Sequence, residues 1–287
     1  MSTHPLLVDP MWLHQHSNDE DLRILDATTF LDQPEGDGHY EVTSGAQAYE
    51  REHIPGAVHA DLLRDLADTG APGAFTALDS ETFAERIGRL GVGPGTHVVV
   101  YDQGPAMWAA RLWWNLRLEG FDDVSVLDGG LPAWKEAGLP TTNGRDPYPP
   151  ARFEARRRPE LYADKDRVLK ALEDEGVLLV NALDEPTFRG ERKTYARAGH
   201  IPGSVNVPFQ GLLDEHGRVR DTEEVREKFA SVGALDTDKL PVTYCGGGIA
   251  ASLAAFDLAR LGREDVAVYD GSMTEWAADE SLPLETS

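Results

Sequence analysis

EREHIPGAVHAD, residues 50–61, returns as ARAGHIPGSVNVP at residues 196–208. Around this pair, two further pairs keep the same order. HVVVYD (97–102) is matched by LPVTYC (240–245), and DVSVLDGGLPAW (123–134) by DVAVYDGSMTEW (265–276). The offset stays near ~145 residues, well beyond the period of a solenoid repeat. The chain therefore reads as two copies of one unit, each of domain size.

Each copy alternates strand and helix signals in one order. The first gives LRILDA, SETFAERIGRLG, HVVVYD, AMWAARLWWNLRLEG and DVSVLDGG. The second gives VLLVNA, DTEEVREKFASVGA, LPVTYC, IAASLAAFDLARLG and DVAVYDG. Short continuous apolar runs between helical patterns imply parallel strands covered on both faces, an α/β fold in each half. Phe83, Ile87 and Leu90 share one helix face, and Gly91 is a stop. Trp108, Trp113 and Trp114 are expected in core or interdomain packing. Ser272 and Glu275 have the spacing of a capping box. The segment TTNGRDPYPPARFEARRRPE (141–160), with four prolines and an Asn-Gly pair, marks the join. The expected division is residues 1–143, a linker at 144–155, and residues 156–287. Arg152, Arg156, Arg157 and Arg158 are either a solvated linker face or an interdomain contact.

The net charge of −23 disfavours nucleic acid and anionic membranes as partners, because phosphate contacts need clustered Lys and Arg. No apolar run approaches the length of a membrane span. The first residues, MSTHPLLVDP, lack the basic and apolar regions of a signal peptide, so a cytoplasmic protein is expected. A single cysteine, Cys245, excludes an internal disulfide and a cysteine zinc site.

Cys245 ends a strand, precedes Gly246, Gly247 and Gly248, and leads to a helix starting near Ile249. In parallel α/β sheets ligands bind beyond the carboxyl ends of strands. Three glycines bend freely, and the helix start offers unpaired N–H groups and the positive dipole end. Backbone N–H groups of Gly246, Gly247, Gly248, Ile249 and Ala250 are thus expected to cradle an anion, either a thiolate or a persulfide sulfur. In the first copy Asp102 stands where Cys245 stands, and its loop is one residue longer and contains Pro105. A carboxylate cannot serve as a sulfur nucleophile, so chemistry is expected in the second half alone. A cysteine phosphatase would need an arginine at position 251, which is Ala251.

The paired HIPG blocks, the strand ending in Cys plus a tight loop, and the D-G-[GS]-x-x-x-W pattern resemble tandem-domain rhodanese-type sulfurtransferases. The resemblance covers nearly the whole chain. It implies two rhodanese-like α/β domains, an active site in the second near the domain interface, and no metal or organic cofactor. It also implies a persulfide on Cys245, formed from a small anionic sulfur donor and passed to a thiol (a thioredoxin-like protein or a small thiol) or to cyanide. Arg189 and Arg197, in the basic stretch FRGERKTYARAGH (188–200), match arginines that bind the donor's anionic group in such enzymes. Arg192 and Lys193 match no motif position. Relatives using thiosulfate carry basic residues after the cysteine, whereas this loop resembles the C-G-[small]-G-[aliphatic] form of mercaptopyruvate users. The expected donor is 3-mercaptopyruvate, with thiosulfate as the alternative and a non-catalytic binding module as the reading of another class. The loop departs from the family at Gly247 and Ala250, which lack hydroxyls, and Asn181-Ala182-Leu183 replaces a frequent Asp-Ala-Arg. His53 and His200 are expected to pack the HIPG turns.

Overall fold

The computed structural model describes residues 4–32, 40–145 and 147–287. The first unit contains strands β1 (Leu7–Val8), β2 (Leu22–Asp26), β3 (Thr29–Asp32), β4 (Glu41–Ser44), β5 (Ala57–His59), β6 (His97–Tyr101) and β7 (Val124–Leu127). Its helices are α1 (Pro10–His16), α2 (Ala46–Arg51), α3 (Ser80–Arg89), α4 (Met107–Leu118) and α5 (Gly130–Glu136). The second contains β8 (Tyr162–Ala163), β9 (Val177–Asn181), β10 (Val205–Asn206), β11 (Leu240–Tyr244) and β12 (Ala267–Tyr269). With them run α6 (Lys165–Ala171), α7 (Glu185–Phe188), α8 (Thr222–Ser231), α9 (Ile249–Arg260) and α10 (Ser272–Trp276).

The two main sheets are five-stranded and parallel, with orders β1-β7-β6-β2-β5 and β10-β9-β11-β12-β8. Read from opposite ends, these are one topology, as the repeat requires. Every residue of β6 is buried, which accounts for its unbroken apolar run. The antiparallel pair β3–β4 is an addition to the first unit that the strand signals do not reveal.

Small contacts repeat with the motifs. The Tyr101 hydroxyl accepts from Ile54 N at 3.3 Å, and the Tyr244 hydroxyl accepts from Ile201 N at 3.2 Å. Trp134 and Trp276 each donate to a proline carbonyl, of Pro140 and Pro283, at 2.8 Å. His53 donates to Tyr49 O and stacks on its ring, while His200 donates to Phe188 O and stacks on that ring. Both histidines therefore pack the HIPG turns.

Helix α3 buries Phe83 and Ile87, and the Asp79 carboxylate caps it by accepting from Glu81 N and Thr82 N. Helices α4 and α9 differ from such amphipathic helices. α4 is buried along its whole length, and α9 from Ile249 to Ala259. Each packs on its own sheet and on the other helix, so neither has a polar face. Trp113 meets Phe256 edge-on, with centroids 5.1 Å apart, and Trp114 Nε1 donates to Leu161 O. The aromatic helix is thus interdomain core.

The carboxylates after β7 and β12 reach across reciprocally. Asp128 accepts from Val219 N at 3.0 Å, and Asp270 accepts from Ala77 N at 2.8 Å. The linker arginines divide between their two readings. Arg158 grips Asp122 with two bonds of 2.6 and 2.8 Å; Arg157 pairs with buried Glu119 and lies over the Tyr162 ring. Arg152 and Arg156 face solvent.

Candidate active site

Cys245 follows β11 directly, at the carboxyl end of the central strand of the second sheet, and is 3% exposed. Gly248 takes a left-handed conformation (φ 80°) that glycine adopts without strain, and α9 starts at the next residue. The loop rests on the start of α10. Cys245 O accepts from Met273 N, while Gly246 O accepts from Thr274 N and from its hydroxyl.

Ser272 lies beneath the loop. Its hydroxyl donates to Tyr269 O at 2.7 Å and accepts from Cys245 N at 3.1 Å and Gly248 N at 3.2 Å. This corrects the capping-box reading. Ser272 is the first residue of α10, held at φ 49°, and makes no capping bond. Glu275 instead accepts from the Tyr269 hydroxyl at 2.8 Å. The cradle narrows as a consequence. The Gly248 N–H is spent on Ser272, leaving Gly246, Gly247, and the first-turn N–H groups of Ile249 and Ala250, which have no intrahelical acceptor.

The twin loop is already filled. Asp102 Oδ1 accepts from Gly104 N and Ala106 N, and Oδ2 from Trp108 N and Ala109 N, at 2.9 to 3.3 Å. Burial pushes this carboxyl above the usual range, while the backbone N–H groups pull it back down. A strand end, left-handed turn and helix start of this design therefore gather several N–H groups around one acidic side chain. An open cavity of about 700 Å³ lies nearby, lined by Arg51, Glu52, Gln103 and residues 141–143. It flanks Asp102's loop, away from the thiol.

The predicted arginines part company. Arg189 caps α7, pairs with Glu185 and is half exposed. Arg192 pairs with Asp184 at 2.9 Å. Arg197 is corrected. Its guanidinium donates to the carbonyls of Trp276, Ala277, Asp279 and Leu282, so four of its five N–H donors hold the C-terminal segment. Accordingly, Arg197→Ala is expected to lower stability by about 2–3 kcal/mol with little change in donor KM. Arg189→Ala is expected to raise KM roughly tenfold without changing Tm. Thermal unfolding and steady-state kinetics on the two variants check both. Asn181 keeps the turn role of its twin, since its Oδ1 accepts from Leu183 N as Asp26 Oδ1 accepts from Thr28 N.

Three side chains escape the sequence reading. The Tyr195 ring tip lies on Gly246. Tyr40, from the first unit, stands close enough to feel Asp184, Arg192 and Cys245. Arg111, from α4, crosses the interface beneath the loop. It meets Asp270 at 2.5 Å and Phe75 O at 2.6 Å, with Nη1 3.5 Å from Gly248 O. The one available signal is a cation in the first half of a mostly apolar helix that also holds Asn115 and Arg117.

Comparison with known proteins agrees with the two-unit fold. The family described as "Rhodanese-like domain" matches residues 9–137 and 164–279. The human 3-mercaptopyruvate sulfurtransferase is 36% identical, over 89% of this chain and 84% of its own length. The 3-mercaptopyruvate sulfurtransferase of Escherichia coli K12 is 34% identical, over 96% and 95%. Among solved structures, the Escherichia coli SseA protein, described as a 3-mercaptopyruvate sulfotransferase of rhodanese fold, superposes with TM-score 0.82 at 33% identity. It covers 94% of this chain and 99% of its own.

Proposed function

Because the chain belongs to the tandem-domain rhodanese sulfurtransferases, we propose that it carries sulfur from 3-mercaptopyruvate through Cys245. The observation that carries this reading is the placement of its only cysteine. Cys245 ends the central strand at a helix start whose twin holds the Asp102 carboxylate in four backbone hydrogen bonds.

The thiolate attacks the outer sulfur of the donor, and the carbon fragment departs as pyruvate. The persulfide sulfur sits among the N–H groups of Gly246, Gly247, Ile249 and Ala250. Arg189, half exposed, attracts the donor carboxylate, and its planar fork suits two carboxylate oxygens. An acceptor thiol, small or carried by a thioredoxin-like protein, then takes the sulfur in a step resembling thiol–disulfide exchange. The first unit, residues 1–143, is catalytically inactive, since Asp102 fills its anion site. Residues 144–155 link it to the catalytic unit, 156–287. Among the described residues no helix is long and apolar enough to cross a membrane, and a cytoplasmic location is proposed.

Gly246 supports 3-mercaptopyruvate over thiosulfate. Sulfite departs as a dianion, which calls for a cation beside the nucleophile, and this loop provides none. The test measures kcat/KM for both donors on one preparation, following pyruvate and sulfite release. A clear preference for 3-mercaptopyruvate is expected. Preference for thiosulfate would reverse the assignment of donor, and turnover of neither would defeat the enzyme reading.

A further inference from the structure

Transfer from 3-mercaptopyruvate leaves a carbanion equivalent, the enolate of pyruvate, and that carbon must gain a proton. The loop offers no hydroxyl for this, since positions 246 to 251 are glycine, isoleucine and alanine only. Neighbouring hydroxyls have spent their protons. Ser272 donates to Tyr269 O, Thr274 to Gly246 O, Ser252 to Gly248 O and Thr243 to Ala251 O. Tyr244 donates to Ser204. The ring nitrogens of His53 and His200 that lie within hydrogen-bond reach face main-chain carbonyls.

Tyr195 differs from all of these. A Cβ at Gly246 would stand 2.0 Å from its hydroxyl oxygen and 2.9 Å from Cζ. The phenol therefore lies directly on the residue after the nucleophile, in space that only glycine leaves open. Among the described residues the hydroxyl makes no hydrogen bond. Burial, then the nearby Cys245 charge, pushes the phenol well above its ordinary range, so it stays protonated at neutral pH. Tyr40 is the less suitable phenol, because the three atoms nearest a Cβ at Gly246 all belong to Tyr195.

We propose that the Tyr195 hydroxyl is the acid that protonates the leaving carbon, and that Gly246 is the residue that admits it. The inference rests on the sulfurtransferase reading above. The Cys245 thiolate forms the S–S bond as the donor's C–S bond breaks, and that electron pair moves onto the enolate. The Tyr195 proton passes to the methylene carbon, giving the methyl group of pyruvate. The resulting tyrosinate takes the proton of the newly formed Cys–S–SH. This restores Tyr195 and leaves a persulfide anion in the cradle. No oxidant, reductant or metal enters the balance. With thiosulfate the S–S electron pair leaves on sulfite, which needs no proton. Tyr195 thus acts for a carbon leaving group and is idle for a sulfur–oxygen one.

The experiment compares Tyr195→Phe with the wild type on both donors, with single-turnover persulfide formation read by mass spectrometry. The expected result is a fall in kcat with 3-mercaptopyruvate of about 100-fold or more, the usual scale for losing a general acid. KM should stay within roughly threefold, and persulfide formation from thiosulfate should proceed at the wild-type rate. Equal losses with both donors would reduce Tyr195 to packing and overturn the inference. Unchanged pyruvate release would overturn it too. A wild type that releases no pyruvate would instead defeat the sulfurtransferase reading itself, so the two failures are separable.

Discussion

Cys245→Ser is expected to abolish sulfur transfer with either donor, and the mass increase of one sulfur atom after donor treatment should disappear. The expected loss is on the order of 10⁶-fold in kcat, the scale at which an enzyme loses its nucleophile. Serine matches cysteine in shape, so the loop should keep its bonds to Ser272, Met273 and Thr274. What changes is chemistry. A serine hydroxyl is scarcely ionised at neutral pH, and its oxygen forms no stable counterpart of a persulfide. Because only a sulfur atom is exchanged, Tm should move by no more than a few degrees. Mass spectrometry of the intact protein after each donor, with unfolding curves alongside, checks this. Residual turnover comparable to wild type would place the chemistry elsewhere.

The fold is legible in the repeat itself. Three motif pairs in one order demand two units of one topology, and the sheets show it. The asymmetry of the halves is legible too, in Asp102 against Cys245. Its physical meaning is not. The sequence shows only a missing sulfur nucleophile, whereas the carboxylate also fills the backbone N–H groups of its own loop. Other gaps follow from what a one-dimensional pattern omits. Arg197 is adjacent to a motif, but its partners are main-chain carbonyls of residues 276–282, and a carbonyl carries no letter in the sequence. Ser272 has the spacing of a cap. Its positive φ turns the hydroxyl under the cysteine loop instead. Tyr195 reaches Gly246 through a missing Cβ, and an absence on one segment does not announce which distant side chain fills it.

Arg111→Met should be the most destabilising single change at the domain interface, costing about 3–5 kcal/mol. Arg111 and Asp270 are each 1% exposed and meet at 2.5 Å. The guanidinium also donates to Phe75 O and lies with its carbon 4.5 Å from the Trp114 ring. Methionine fills a similar volume but leaves Asp270 as a buried charge whose remaining donor is Ala77 N. Removing one partner of such a pair is far costlier than replacing both. Arg111→Met with Asp270→Asn should therefore recover much of the lost stability, and a double-mutant cycle in urea measures the coupling. Activity is expected to separate from stability. Arg111 Nη1 lies 2.6 Å from where a Cβ of Gly248 would be, so this first-unit side chain forms the floor of the loop that follows Cys245. The double variant should regain Tm yet keep a reduced kcat, because the loop's support is gone while the charge is balanced. If both properties recover together, the pair serves the interface alone. If neither recovers, the cost lies in the contacts to Phe75 and Trp114 rather than in the stranded carboxylate.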